Sequence, residues 1–370
     1  MKFTCEKNAL VSAISVASRT VAQKSTIPAL EGIYIRAGVK LTLSGYNLET
    51  GITISVDAEI QQTGACIMPS RLFFDIIRKL PDETVSISVD EKFKVSIRGG
   101  ISSFTITAMS SEDYPELPEV ESDKGISLPQ NELKAMIGGT SFAVSENQAR
   151  PIHTGCLFEV EDTSITVVAV DGYRLALRRW KSEEPIGRTL KFVVPAAALK
   201  EAEKILGDTD DPCTFFLGSK HILFTIGEAT LVCRLLEGEF LDWRRVLPQN
   251  QPVKLAVNVA KMTDSIERVG LIISEKLKSP VRCKFGENTA DFRSVSTIGE
   301  AHDVCQIAGD GQDMEIGFNC RYLLDALRAV PDGECMLELS NGLSPIVLTP
   351  CDDTRRYSYM VLPVRLKAGE

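Results

Sequence analysis

Histidine is scarce in this sequence of 370 residues, and the three that occur, His153, His221 and His302, do not have the spacing of metal ligands. The ten cysteines are scattered, and no two of them form the C-x-x-C pair of a zinc ribbon or a thioredoxin-like motif. No phosphate-binding loop, dinucleotide fingerprint, nucleophile elbow or H-E-x-x-H motif occurs. We therefore expect no metal, no cofactor and no enzymatic activity, and we expect the cysteines to be small buried hydrophobes.

Long hydrophobic runs are also missing. No apolar stretch approaches the roughly 20 residues that span a bilayer, and the start, MKFTCEKNAL, lacks the apolar core of a signal peptide. A hydrophobic fraction of 44% and a charged fraction of 25% are ordinary for a globular protein. The sequence thus predicts a cytoplasmic protein with no membrane partner, and its net charge of −9 alone would argue against nucleic acid.

What the sequence does contain is a threefold repeat. Segments 68–83, 194–209 and 318–333 align with Pro69, Pro195 and Asn319 in one column. Proline suits the start of a helix and asparagine suits an N-cap. Apolar residues then recur after three and four positions, as on one face of a helix: Phe73, Ile76 and Leu80; Leu199, Ala202 and Leu206; Leu323, Ala326 and Val330.

A second set of amphipathic segments lies half a repeat earlier, and each precedes a proline (Pro28, Pro151 or Pro280) that we expect to open a strand. The strand-like segments alternate in polarity, as antiparallel strands with one wet face do. The predicted fold class is α+β, with three repeated domains at 1–124, 125–251 and 252–370. Each has two helices on antiparallel sheets, and each carries a net charge of −3.

The six predicted helices are less acidic than the rest of the chain. They hold eleven Lys and Arg residues against eight Asp and Glu. If they lined one surface, it would be mildly basic on an acidic protein, although ordinary solvated helix faces explain the count equally well.

The stretch AVDGYRLAL, residues 169–177, places charged residues between two apolar runs. An Asp-Gly pair there is a strong hairpin signal, so Asp171 and Gly172 are predicted to form the turn. Tyr173 and Arg174 are not required by a turn. A hydrolase or transferase that uses Asp171 and Arg174 is the rival hypothesis, but the sequence nominates no partner for the aspartate.

These residues, together with LEGEFLDWRRVLP (236–248), MEIGFNCRYLLDALRAV (314–330) and the ending YMVLPVRL (359–366), resemble the bacterial sliding clamps, the beta subunits of DNA polymerase III. The resemblance extends from the first residues to position 366. It implies a DNA polymerase processivity factor: two chains with clamp domains would join head to tail into a ring, encircle duplex DNA without sequence preference, and slide.

The resemblance also implies a hydrophobic cleft that binds short peptides of the polymerase III alpha subunit, the clamp loader and other proteins with clamp-binding motifs. The cleft residues carried over are Val170, Gly172, Tyr173, Arg174, Leu175, Leu241, Arg245, Val246, Met360, Leu362, Pro363, Val364 and Arg365.

Two departures from the family lie near the expected cleft. His153 stands where the family commonly has an apolar residue, and residues 367–370 follow the usual terminal Arg-Leu pair. Both bear on which partners bind.

For the joint of the ring the resemblance implies Phe104 and Ile106 facing Ile272 and Ile273, although all four could be ordinary core. For DNA contact it implies Lys24 and Arg150, although surface cations are usually only solvated. A clamp-like scaffold that binds proteins but no longer loads onto DNA is a further alternative that the sequence leaves open.

Overall fold

The computed structural model describes residues 1–121, 124–273, 279–352 and 354–366. Within these ranges the chain forms six α-helices, and each coincides with one of the predicted amphipathic segments. They are α1 (Lys7–Ala17), α2 (Ser70–Lys79), α3 (Gln130–Gly138), α4 (Ala196–Ile205), α5 (Val259–Gly270) and α6 (Cys320–Arg328).

Strands fill most of the remaining chain, and every pairing between the described strands is antiparallel. The first repeat contributes β1 (Lys2–Glu6), β2 (Gly32–Ala37), β3 (Leu41–Tyr46), β4 (Thr50–Val56), β5 (Ala58–Gln62), β6 (Gly64–Pro69), β7 (Thr84–Val89), β8 (Lys94–Gly99) and β9 (Ser102–Thr107). The middle repeat contributes β10 (Ile126–Pro129), β11 (Gly155–Glu161), β12 (Ser164–Val170), β13 (Arg174–Lys181), β14 (Leu190–Pro195), β15 (Pro212–Leu217), β16 (His221–Ile226) and β17 (Ala229–Arg234). The last contributes β18 (Val253–Asn258), β19 (Val281–Ser296), β20 (Gly299–Phe318), β21 (Glu334–Leu339), β22 (Ile346–Thr349) and β23 (Tyr357–Val361).

The helices bury the predicted faces. All nine apolar residues of the aligned segments have at most 8% of their surface exposed. Asn319 caps α6, because its side-chain oxygen accepts the N–H of Tyr322 at 3.3 Å. Pro69 and Pro195 each end a strand directly before a helix. The predicted punctuation of the repeat is therefore confirmed.

The expectation that Pro28 and Pro151 open strands was wrong. Each begins a short 3-10 turn, Pro28–Glu31 and Pro151–Thr154, and a glycine then starts the strand. The fixed φ of proline and its missing N–H suit the first position of a helical turn as well as an extended segment. Pro280 does directly precede β19.

One compact unit contains residues 1–134 and 197–235. It holds a five-stranded sheet, β5-β1-β7-β8-β9, and an eight-stranded sheet, β10-β15-β16-β17-β4-β3-β2-β6. Helices α1 and α2 pack beside each other here, over a core that includes the fully buried Phe3, Ile14 and Phe73. Because β17 pairs with β4, strands of the first and middle repeats share one sheet.

The other compact unit contains residues 135–196 and the chain from Leu236 onward. Its ten-stranded sheet has the order β14-β11-β12-β13-β23-β22-β21-β18-β20-β19. In this sheet β13 pairs with β23, with Leu175 opposite Met360. The pairing brings the end of the last repeat next to the turn at Asp171.

Eight of the ten cysteines are buried, as predicted, whereas Cys320 is half-buried and Cys351 is exposed. Burial raises the pKa of the Cys66 thiol to about 12, which keeps it protonated and unreactive. Among the described residues, no three His, Cys, Asp or Glu side chains are grouped so that they could hold a metal ion. In the same part of the chain, no helix is long and apolar enough to cross a membrane.

Candidate functional site

The Asp171 side chain closes the turn between β12 and β13. Its Oδ1 atom accepts the backbone N–H groups of Tyr173 at 2.9 Å and Arg174 at 3.0 Å. Gly172 has a φ of +93°, which a residue with a Cβ atom rarely adopts. The predicted turn is therefore confirmed, and the aspartate is the residue that shapes it.

The Arg174 side chain is buried, with 8% of it exposed, and its charge is shared between two carboxylates. Its Nε atom donates to Asp171 Oδ2 at 2.9 Å, and its Nη1 atom donates to Asp325 Oδ2 at 2.6 Å. The guanidinium also lies over the ring of Tyr322, 4.4 Å from its centre. Both oxygens of Asp171 are thus engaged within the protein, which favours a structural role over the acid–base role of the rival hypothesis.

An apolar cluster lies behind this turn, and we call it the Val170 cluster. Strands β11, β12 and β13, segment 236–248 and strand β23 supply most of it. Its buried members are Leu157, Val168, Val170, Leu175, Leu177, Val193, Phe240, Trp243, Val347 and Met360, and its partly buried members are Ile152, Leu236, Val246, Leu247 and Leu362.

The cluster contains five of the residues expected in a peptide-binding cleft. Val170, Leu175 and Met360 are buried in it, whereas Val246 and Leu362 are partly exposed at its edge. These five residues come from three separate parts of the sequence.

The C-terminal tail passes along the turn. The backbone N–H of Leu362 donates to the carbonyl of Tyr173 at 2.8 Å, and that of Val364 donates to the carbonyl of Gly317 at 2.8 Å. Tyr173 has 62% of its surface exposed, and its ring stacks on that of Tyr322 with centres 6.1 Å apart. A pair of stacked aromatic rings, of which Tyr173 is exposed and Tyr322 is half-buried, therefore lies beside the tail.

The other predicted tail residues lie toward solvent. Pro363 is half-buried, Val364 has 37% of its surface exposed, and Arg365 is exposed. Residues 367–370, whose role is one of the open questions of the sequence, lie outside the described residues.

Segment 236–248 supplies a second edge of the cluster. Phe240 is buried, whereas Leu241 has 44% of its surface exposed. The side chain of Arg245 is 88% exposed and its Nε atom lies 3.1 Å from Asp242 Oδ2. An apolar and a cationic side chain are thus exposed to solvent next to the buried cluster, an arrangement typical of peptide-binding surfaces.

His153 contacts the cluster through Phe240. The imidazole meets the phenyl ring edge-on, with centres 5.0 Å apart and planes at 69°. Its Nδ1 atom is buried and has no hydrogen-bond partner among the described residues. Burial lowers the pKa of His153 below its ordinary value, and the nearby charge of Arg150 lowers it further. The ring is therefore neutral at neutral pH.

The residues expected at the joint of the ring belong to two other places. Phe104 and Ile106 lie on β9, the last strand of the five-stranded sheet, with 41% of Phe104 exposed and Ile106 half-buried. Ile272 and Ile273 follow the end of α5 and are half-buried. None of the four is fully buried, as a residue of the ordinary core would be.

The two expected DNA-contacting cations are both exposed. Lys24 lies at a shallow depression lined by Val21, Ala22, Gln23, Asn47 and Glu49. Arg150 directly precedes the 3-10 turn that carries His153.

Among the residues of the site that the sequence analysis did not name are three aromatic ones. Phe240 and Trp243 are buried in the Val170 cluster, and Tyr322 stacks on Tyr173. Trp243 was an available signal, because the chain has only two tryptophans. Tyr322 gave no such signal, since it contacts a residue about 150 positions away in the sequence.

Comparison with solved structures defines the class of protein. The DNA polymerase sliding clamp of Bacillus subtilis superposes with a TM-score of 0.93 at 29% identity, covering 99% of this chain and 100% of that one. The beta subunit of Streptococcus pyogenes DNA polymerase superposes with a TM-score of 0.94 at 26% identity and the same coverage. The fold is therefore that of the sliding clamps, with three clamp domains.

Sequence comparison identifies the family. Profiles of the DNA polymerase III beta subunit match residues 1–118 for the N-terminal domain, 127–242 for the central domain and 244–365 for the C-terminal domain. The curated beta sliding clamp of Staphylococcus epidermidis is 32% identical over 381 residues, covering 99% of each chain. The chain belongs to the DNA polymerase III beta subunit family and is a DNA polymerase processivity factor.

Proposed function

We propose that the Val170 cluster is the docking site through which this processivity factor holds its partners. The observation that carries the proposal is the meeting of the turn at Asp171, segment 236–248 and the C-terminal tail around one partly exposed apolar cluster. Short peptides of the polymerase III alpha subunit, the clamp loader and other clamp-binding proteins would be its ligands.

The chemistry of the cluster suits a short anchored peptide. Leu241, Val246 and Leu362 offer apolar surface, and Tyr173 offers an exposed ring. Buried aliphatic side chains pack closely behind them and form the base of the cleft. Apolar anchors would enter between the exposed residues, and Arg245 at the rim could pair with an acidic residue of the peptide.

The ring would close between two copies of the chain. Strand β9 pairs with β8 on one side, and its other edge has no strand beside it in the described part of the chain. Such an edge is a ready site for pairing with another molecule. We propose that Phe104 and Ile106 meet Ile272 and Ile273 of a second copy across this edge.

DNA would be held by enclosure and not by tight contacts. The mild excess of basic residues on the helices fits a surface that must attract phosphates weakly and still slide. Lys24 and Arg150 would add exposed positive charge. The protein would carry out no chemical step of its own. It would act in the cytoplasm. The boundaries between its three domains would fall near residues 124 and 251.

Loading onto circular DNA tests this function directly. With a clamp loader and ATP, the protein should remain on nicked circular DNA through gel filtration, and it should be lost when the circle is cut once. Equal retention on open linear DNA would refute enclosure. Peptide binding without any loading would instead favour the scaffold that binds only proteins.

A further inference from the structure

Glu159 is a charged residue within the buried part of a strand. It lies in β11, where the preceding residues from Gly155 are all buried, and only 7% of its own surface is exposed. Burial of an unpaired carboxylate is costly, so its partners deserve identification. No sequence motif points to it.

Two of the partners are consecutive residues of segment 236–248. The indole Nε1–H of Trp243 donates to Glu159 Oε2 at 3.1 Å, and the Nη1 atom of Arg244 donates to the same oxygen at 2.8 Å. Lys191 on the neighbouring strand β14 lies 3.4 Å from Oε1. The carboxylate is therefore paired, and its two shortest contacts are with residues of one turn, Trp243 and Arg244.

That turn carries side chains of the proposed docking site. Trp243–Arg245 is a single 3-10 turn, with Leu241 just before it and Val246 just after it. Trp243 is fixed by packing: only 5% of its surface is exposed in the Val170 cluster, and the guanidinium of Arg244 lies 4.2 Å from the centre of its ring.

The backbone of this turn does little to hold it against the sheet. The N–H groups of Arg245, Val246 and Leu247 donate to carbonyls of Asp242 and Trp243, within the segment itself. The attachment of the turn to β11 therefore depends on side chains: the packing of Trp243, the bonds to the buried Glu159, and a more exposed bond from Arg244 to Glu161.

We propose that Glu159 is a positioning residue for peptide binding: by holding Trp243 and Arg244, it fixes Leu241 and Val246 in the places from which they contact a bound peptide. The inference rests on the proposed docking function. A fixed turn avoids the cost of ordering these side chains when the peptide binds.

The test uses the full chain and a fluorescent peptide of the clamp-binding region of a polymerase III alpha subunit. Glu159→Gln keeps the size of the side chain and an acceptor for the indole, but removes the charge that pairs with Arg244. We expect its Kd for the peptide to rise about tenfold, because charge-assisted hydrogen bonds are the stronger ones. Arg244→Met, which keeps an unbranched side chain but removes the charge, should show a similar loss.

Glu161→Gln is the matched control. Glu161 also accepts from Arg244, at 3.1 Å, but its side chain is 52% exposed. An exposed pair contributes little, so we expect less than a twofold change in Kd. The Glu159→Gln and Arg244→Met losses should not add in the double variant, since both remove the same contact.

A spectroscopic measurement separates positioning from general stability. The chain has two tryptophans, so Trp180→Phe leaves Trp243 as the single indole. In this background Glu159→Gln should shift the indole N–H resonance of Trp243 in an NMR spectrum and speed its exchange with solvent. The mass of the two-chain assembly, measured by light scattering, should stay unchanged.

The outcomes are distinguishable from failure of the docking function. If the unaltered protein does not bind the peptide, the proposed function is wrong. If it binds and Glu159→Gln binds with the same Kd, or if the double variant shows additive losses, the positioning role is refuted even though docking stands.

Discussion

Asn47 and Asp171 close the same turn in two repeats of the chain. Asn47 Oδ1 accepts the backbone N–H groups of the residues two and three positions later, at 3.0 and 2.8 Å. Asp171 Oδ1 does the same at 2.9 and 3.0 Å. The residue that directly follows the turn-closing side chain has a positive φ in both turns, +74° at Leu48 and +93° at Gly172. The repeated domain therefore keeps this turn, while its exposed residues differ.

The shared turn provides a matched pair of variants. Asp171→Ala removes the turn-closing acceptor and one partner of Arg174, so we expect the free energy of unfolding to fall by about 2 kcal/mol and peptide affinity to fall with it. Asn47→Ala should cost about 1 kcal/mol and leave peptide binding unchanged. Urea denaturation and fluorescence anisotropy measure the two effects. Equal loss of peptide binding in both variants would show that the Asp171 turn has no special part in docking.

The ring joint can be tested with charge. Ile272→Asp with Ile273→Asp should convert a dimer into monomers at micromolar concentration, because each aspartate would be buried without a partner in the interface. Light scattering gives the mass. Val39→Asp is the control, since Val39 is fully exposed in the turn between β2 and β3. A purely monomeric unaltered protein would contradict the ring itself.

The tail prediction concerns residues 362–370. Their removal should abolish binding of polymerase-type peptides and leave the dimer intact, because Leu362 belongs to the Val170 cluster and donates to Tyr173. Leu362→Ala isolates the apolar contact and should weaken binding about tenfold. Unchanged affinity in the truncated protein would mean that the docking site lies elsewhere.

The pH prediction concerns His153. Its pKa in the folded protein is below the ordinary value, so its proton binds only under acidic conditions. Charging the imidazole beside an apolar anchor should weaken peptide binding by roughly fivefold as pH falls through the lowered pKa of the imidazole. His153→Leu should remove this dependence. Parallel affinity curves for the two proteins between about pH 5 and 8 would show that His153 does not take part.

The free energy of unfolding should also depend on the protonation of His153, and it should fall as the pH falls. Because the folded pKa of His153 is depressed, the unfolded chain binds the proton more readily. The stabilisation is present above the unfolded value near 6.5 and is lost as pH falls through the lower folded pKa. Unfolding free energies of the native protein and His153→Leu should therefore diverge as pH falls below the unfolded value of about 6.5, with the native protein losing stability faster.

Local patterns in the sequence predicted the helices well. The spacing at Phe73, Leu199 and Leu323 reflects a helix face that must be buried wherever the helix lies, so no knowledge of distant contacts is needed. The same holds for the N-cap at Asn319. The prolines at 28 and 151 were misread because one local preference suits two structures.

The site was less accessible to such reasoning. Its apolar residues were assigned through resemblance to a family, since the pairing of β13 with β23 joins segments about 180 residues apart and leaves no local pattern. Glu159 was missed for a related reason. A glutamate in an apolar strand reveals nothing until the folded chain brings Trp243 and Arg244 to it.

The distribution of the cysteines makes the protein a convenient subject for thiol labelling. Cys351 is exposed, Cys320 is half-buried and the other eight are buried. Burial and neighbouring carboxylates raise the pKa of Cys351, so a maleimide dye should attach there most readily at mildly alkaline pH. A native copy would then carry one dye, and a ring of two copies would carry two, which allows single-molecule tracking of the assembled ring without any engineered residue.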